Sequence, residues 1–212
     1  MSWIQTFTGR RIYPLEPAAS VIELGDIAHA LAMKCRFTGH TRRFYSVAEH
    51  SLLVEKLVRQ STSDPEILSW ALLHDAAEAY LPDVARPIKD AAGFWGPWSS
   101  ADGIPIRQWM TFKQVENRIL EAIAIRFGLS LPVPALIKEA DIQLLVDEGE
   151  YLLGGTHNWN IEWTDGRKVR PRISEIDCLD PLAAEVRFLE RWGELEHARN
   201  LAAEAALTAE AR

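Results

Sequence analysis

The 212-residue chain has little cysteine, and its two thiols, Cys35 and Cys178, lie far apart and form no motif. A disulfide-stapled scaffold is therefore not expected, and free thiols in a reducing cytoplasm are the default. It also lacks any apolar run near the roughly 18–20 residues that span a bilayer, so no membrane partner is expected. Met1-Ser2-Trp3-Ile4-Gln5 has no basic segment followed by an apolar one, so no signal peptide is expected. The expected location is the cytoplasm of a bacterial or phage-infected cell. Positive charge is in the minority, with 23 Lys and Arg against 30 Asp and Glu and a net charge of −7. That balance argues against a protein that tracks the phosphates of a long nucleic acid. Basic residues cluster only at Arg10-Arg11, Arg42-Arg43 and Arg167-Lys168-Arg170-Arg172. A small anion remains open as a ligand, because a few cations converging on one pocket suffice. There is no internal repeat and no low-complexity linker. With 48% apolar and 25% charged residues, the chain fits one soluble domain over 1–212.

What is present is mostly helical pattern. Residues 3–14 alternate around Thr8-Gly9 and predict a small hairpin. Asp26 can cap a short helix through Ile27 and Leu31. Ser46-Val47-Ala48-Glu49 has the form of a capping box and predicts a helix to about Arg59. Asp64-Pro65 opens another, expected to run to about Tyr80. Residues 81–103 hold several prolines and glycines and are expected to form a loop. Helices are expected from about Ile106 to Phe127 and from about Pro134 to Leu153, stopped by Gly128 and Gly154-Gly155. Residues 156–177 look irregular, with room for a second hairpin. Asp180-Pro181 starts a last helix, over about 180–209, whose end beyond about Asn200 is expected to fray or pack on a partner chain. The expected fold is all-α: six or seven helices, a core over about 25–153, and small β-hairpin decoration.

Three predicted helices carry residues that do not belong in an apolar core. His50 sits in the stripe of Val47, Val54 and Leu57. A hydrogen-bonded core histidine would account for it alone. The run Trp70-Ala71-Leu72-Leu73 leads into His74-Asp75-Ala76-Ala77-Glu78, where buried charge is costly unless compensated. A salt-bridged network is one compensation, a cation another. Asp141 lies in the stripe of Ile137, Leu144 and Leu145 and needs a cationic partner or a metal; Lys138, three residues earlier, can supply an ion pair. Taken together, the inward-facing groups on separate helices can converge on one site in a bundle. Two imidazoles and two carboxylates suit a divalent ion, and the absence of cysteine disfavours a structural zinc cluster.

The stretches Arg36-Phe37, Ser46-Val47-Ala48-Glu49-His50-Ser51, Leu73-His74-Asp75-Ala76-Ala77-Glu78, Asp83 with Pro87-Ile88-Lys89, and Ile137-Lys138-Glu139-Ala140-Asp141 resemble the HD superfamily of metal-dependent phosphohydrolases. Within it, the chain is similar to the 5′-deoxynucleotidase branch and to phage relatives that include deoxynucleoside triphosphate triphosphohydrolases. The resemblance covers residues 36–141 and implies an HD-domain helical bundle. It implies that His50, His74, Asp75 and Asp141 hold a divalent ion (Co, Mn, Zn, Ni, Fe or Mg). It implies that Glu78 positions or protonates near the scissile phosphate, that Asp83 orients or activates water, and that Arg36, Lys89 and Lys138 contact phosphate. The small-molecule partner it implies is a nucleotide, and relatives assemble as dimers or hexamers. The chain departs from the deoxynucleotidase pattern at Phe37, where a tryptophan is common, and over Thr38-Gly39-His40-Thr41-Arg42-Arg43, which bears on base and sugar preference.

Each of these residues also has a plainer role. Glu78 can hold the His74 ring by a hydrogen bond, Asp83 can cap a loop, and Phe37 can be core packing or a base-stacking wall. His29 and His40 fit structural or pocket-edge positions. Arg42 and Arg43 fit a solvated face, but with Arg86 they would also suit a triphosphate tail. The tryptophans at 95, 98 and 109 fit a loop or subunit contact. The expected activity is hydrolysis of a 5′-phosphoester of a dNMP or dNTP; a sensor that binds metal and nucleotide without turnover, or a purely structural metal bundle, are the competing readings.

Overall fold

A computed structural model of the chain describes residues 3–84, 86–99, 105–156, 159, 161, 168, 169, 173 and 175–210. The architecture is helical with two small antiparallel hairpins, in agreement with the sequence. The first hairpin pairs β1 (Ile4–Gln5) with β2 (Arg11–Ile12). It is followed by α1 (Leu24–Met33), α2 (Val47–Val58), α3 (Pro65–Leu73) and the short α4 (Arg86–Ala91). Then come β3 (Gly93–Ser99), β4 (Pro105–Thr111), α5 (Phe112–Phe127), α6 (Ala135–Glu148) and α7 (Pro181–Glu210). Among the described residues no helix is long and apolar enough to cross a membrane.

The core is one continuous cluster in which α7 packs against α1, α2 and α3, and α2 packs against α3 and α6. Leu31, Val54, Leu72, Leu73, Ile119, Ile123 and Phe188 are fully buried within it. This packing matters for function because it fixes α2, α3 and α6 side by side.

Three expectations need correction. The helix from Pro65 stops at Leu73 rather than near Tyr80. His74 Nδ1 lies 2.8 Å from the Ala71 carbonyl, the acceptor that a continuing helix would give to the Asp75 amide. The chain then tightens into a 3₁₀ turn over Ala76–Ala79, with the Glu78 amide donating to the Asp75 carbonyl at 2.9 Å. Second, residues 81–103 are not simply a loop, and the helix expected from Ile106 begins at Phe112. In between, β3 and β4 form the second hairpin, with Trp95 opposite Trp109. Its glycines serve close approach rather than a loop: a Cβ on Gly93 would lie 2.5 Å from the Met110 carbonyl oxygen. The start of α5 is set by a capping box in which Thr111 Oγ1 accepts from the Gln114 amide and Gln114 Oε1 accepts from the Thr111 amide.

Third, Ser46 caps α2 by accepting from the Glu49 amide, but Glu49 does not complete the box. Its carboxylate accepts instead from the amides of Cys178 and Leu179, at 2.9 and 2.7 Å, tying the start of α2 to the segment before α7. The last helix, α7, runs to Glu210, and its residues 200–209 are exposed. The stretch expected from Pro134 to Leu153 is α6 followed by a wider π turn at Gly149–Leu153, closed by Gly154 at φ 105°. Most of 156–177, with its expected hairpin and Arg167, Arg170 and Arg172, lies outside the described residues, as do the side chains of Arg86, Pro87 and Trp98.

Candidate metal centre

Three of the four expected ligands, His50 from α2, His74 from the end of α3 and Asp141 from α6, each offer one atom to a group lying within 4.8 Å of one another. His50 Nε2 and His74 Nε2 are 3.2 Å apart, and Asp141 Oδ1 is 3.5 Å from His50 Nε2. Asp75 joins the same group: its Oδ2 lies 3.4 Å from His74 Nε2 and 3.5 Å from His50 Nε2. The early end of α3 makes this possible. On a regular helix adjacent residues point in different directions; the 3₁₀ turn after His74 lets both members of the His-Asp pair face one point.

The outward nitrogens fix the ring states. His50 Nδ1 lies 2.6 Å from Glu148 Oε1, and His74 Nδ1 faces the Ala71 carbonyl. Burial opposes ionisation of Glu148, but the charges of Arg36 and His50 outweigh it and hold its pKa below the usual value. Both partners therefore accept and each Nδ1 donates, which turns both Nε2 atoms toward the centre. Two ring nitrogens and two carboxylate oxygens then face one another at contact distance. The donor chemistry of this set fits a divalent metal ion, and His50, His74 and Asp141 could hold one. Without metal a proton answers the same demand. Burial and Arg36 disfavour the charged ring of His50, yet Glu148 and Asp141 lift its pKa to about 9. Burial likewise opposes charge on Asp75, but His74 and His50 pull its pKa well down, and His50, His74 and Lys138 do the same for Asp141.

Glu148 was not singled out from the sequence. It receives His50, the Tyr45 hydroxyl at 2.7 Å and Arg36 Nη2 at 3.0 Å, all fully or nearly buried. The signal was available, because Glu148 follows Asp141 by two helical turns on the inward stripe of α6. Arg36 spans the centre's outer layer, with Nη1 3.5 Å from Asp75 Oδ2. Phe37 is half-buried, in the left-handed region at φ 54°, with its ring 5.4 Å from the Arg36 guanidinium.

A second charged group adjoins the first. Lys89 Nζ bridges Glu78 Oε1 at 2.8 Å and Glu116 Oε1 at 2.9 Å. Glu78 thus does not hold the His74 ring, which has its own backbone acceptor. Glu78 Oε2 is buried without a hydrogen-bond partner among the described residues. Burial, with the charges of Asp75 and Asp83, raises the Glu78 pKa to about 7. Lys34 shares this neighbourhood: burial lowers its pKa while Glu78 and Asp83 oppose the drop, and its ammonium donates to the Leu81 carbonyl.

His74, Asp75 and Asp141 open onto a cleft of about 570 Å³ between α5 and residues 131–138. Lys138 lines it, 57% exposed and 2.6 Å from Asp141 Oδ2, so the ion pair anticipated for these two residues is real. Arg36, Phe37, Glu78, Asp83 and Lys89 are not among its lining residues. Arg42 and Arg43 point elsewhere: the Arg42 guanidinium lies against Gly154, and Arg43 donates to the Asp177 carbonyl at 3.0 Å. His29 is structural, 2.9 Å from Glu185 and stacked on Phe7. Trp95 and Trp109 meet edge to face across the second hairpin.

No family model matches the chain. It is 32% identical over 203 residues to the uncharacterized protein YfdR of Escherichia coli (strain K12), an alignment that covers 95% of this chain and 100% of that protein. It is 39% identical over 145 residues to an uncharacterized protein of Rhodobacter capsulatus, covering 66% of this chain and 65% of that one.

Proposed function

The chain belongs to the family of the Escherichia coli protein YfdR, and from the chemistry of its buried centre we propose that it is a divalent-metal-dependent phosphohydrolase of nucleotides that cleaves the 5′-phosphoester of a dNMP or dNTP. The observation that carries this reading is the facing pair of Nε2 atoms, 3.2 Å apart and flanked by Asp75 and Asp141. The resemblance of the stretches around these residues to HD phosphohydrolases also supports it. A divalent ion held there would polarise a phosphoryl oxygen and make water more acidic.

The chain's own groups supply the rest. Lys138, largely exposed beside Asp141, can turn its ammonium onto a phosphate entering the cleft. Arg36 holds Asp75 and Glu148 in place, and its guanidinium adds positive charge next to the phosphate position. Lys89 holds one oxygen of Glu78. With a pKa of about 7, Glu78 keeps a proton near neutrality that it can pass to the leaving 5′-oxygen. Asp83, close enough to Glu78 to raise its pKa, is the candidate to take the proton of the attacking water. The new P–O bond forms to that water, the ester P–O bond breaks, and nucleoside leaves carrying the proton from Glu78. Arg42 and Arg43 do not line the cleft, which favours a monophosphate over a triphosphate tail.

The test is metal content together with a nucleotide panel. Protein loaded with Mg, Mn, Fe, Co, Ni or Zn is incubated with dNMPs and dNTPs, and products are resolved by chromatography. Nucleoside plus orthophosphate from a monophosphate is the expected result; nucleoside plus triphosphate would assign the longer substrate. Failure to turn over any nucleotide with any of these metals would defeat the proposal. His50→Ala and Asp141→Ala are expected to lose metal and activity together.

A further inference from the structure

The cleft has a wall that the proposed chemistry does not use. Helix α5 turns Phe112, Val115, Ile119 and Ile123 into the core. Its other face places Lys113, Asn117, Leu120 and Glu121 along the cleft, at the spacing of successive turns. Leu131, 47% exposed, and Val133 form the facing apolar wall. Among the described residues, Asn117 and Glu121 have no hydrogen-bond or ion-pair partner, whereas Lys113 pairs with Glu116 and Lys138 with Asp141. The cleft is of small-molecule size.

Resting on the phosphohydrolase reading for the phosphate end, we infer that Asn117 and Glu121 determine base specificity: they read the amine-bearing edge of a nucleotide's base, lying between Leu120 and Leu131, and select adenine, cytosine or guanine over thymine. The polarity of the cleft sets the orientation. Lys138 and the ligand cluster draw phosphate to one end. A carboxylate at Glu121 repels phosphate, and it lies eight residues from Lys113, about 12 Å along the helix axis. What remains near Glu121 is the far end of the ligand. A carboxylate only accepts hydrogen bonds, so it rewards an exocyclic amine and penalises a carbonyl edge. Asn117, one turn earlier, can accept from an amine and donate to a ring nitrogen at once. The apolar walls suit the faces of a planar ring. Thymine presents carbonyls on both sides of its single N–H and would set an oxygen against the Glu121 carboxylate.

Equilibrium binding tests this without relying on turnover. Calorimetric titration of the Mn-loaded protein with dAMP, dCMP, dGMP and dTMP, each as its non-hydrolysable 5′-phosphonate analogue, is expected to show the dTMP form binding at least about tenfold more weakly than the best of the others. Glu121→Ala should erase that gap, Asn117→Ala should weaken the amine-bearing nucleotides, and Glu121→Gln, whose amide can donate to a thymine carbonyl, should strengthen dTMP. Both positions changed are exposed and outside the core, so the fold is expected to persist, as circular dichroism would verify. Unchanged selectivity in Glu121→Ala overturns the inference, as does wild-type protein that binds all four alike. Hydrolysis of the same panel separates the two claims. Selective binding without turnover would remove the enzymatic reading and keep this one; turnover indifferent to Glu121 would do the reverse, and no nucleotide binding at all would overturn both.

Discussion

His50 is the best-anchored of the ligands, with no exposed surface and its Nδ1 tied to a carboxylate that also receives Tyr45 and Arg36. A carboxylate behind an imidazole fixes the tautomer and raises the basicity of the nitrogen facing the ion. Replacing Glu148 by Gln keeps the shape but removes the charge that balances Arg36 and orients His50. Metal affinity is expected to fall by about 10- to 100-fold, read from competition with a metal-sensitive dye; an unchanged affinity would mean that Glu148 serves packing alone. The neighbouring Glu78 gives a pH signature. Its pKa is raised to about 7 by burial and by Asp75 and Asp83, so its proton is present below that pH and lost above it. If Glu78 is the proton donor, kcat/KM declines as pH rises through about 7, and Glu78→Gln removes that limb along with most of the rate. A profile still rising beyond pH 8 would assign Glu78 the opposite role.

At the scale of elements, what decides the site is where helices stop. The stripe positions of His50 and Asp141 were legible from helical period, because both lie well inside regular helices. The end of α3 was not: a side chain, His74, captures the Ala71 carbonyl, and nothing in the residue pattern up to Tyr80 announces it. For Glu148 the helical period gives the inward position, two turns after Asp141, but not its role, because its partners Arg36 and His50 come to it from distant segments. The second hairpin was hidden for another reason. Its glycines and prolines look like loop formers, while Gly93 and Gly96 in fact leave room for Trp109 and Met110 across the ladder. The Thr111–Gln114 box lay inside the expected helix and marked its true start. Thr111→Ala removes that cap and is expected to cost about 1 kcal/mol, lowering Tm by roughly 2–4 °C in a chain of this size. Metal affinity should not change, since α5 carries none of the ligands.

For the whole molecule, α7 is the piece that braces the helices presenting the ligands, since it packs on α1, α2 and α3. The brace is confined to its first two-thirds, up to Asn200. Phe188 is fully buried and Trp192 nearly so, stacked edge to face on Phe127, and Arg199 donates to the Phe127 carbonyl at 2.9 Å. Beyond Asn200 the helix continues with every described side chain exposed, including Leu201 and Leu207. Stability should therefore divide sharply along one continuous helix. A chain ending at Asn200 is expected to unfold in urea within about 0.5 kcal/mol of the full chain, as removal of solvent-facing residues does. Phe188→Ala, by contrast, empties a core position and should cost about 3–5 kcal/mol. Because the proposed metal centre draws its ligands from α2, α3 and α6, a divalent ion in excess of its Kd is expected to raise the midpoint of the full and shortened chains by the same increment. A smaller increment in the shortened chain would show that the exposed end of α7 contributes to the centre through contacts between copies of the protein, and the measurement repeated at several protein concentrations would reveal them.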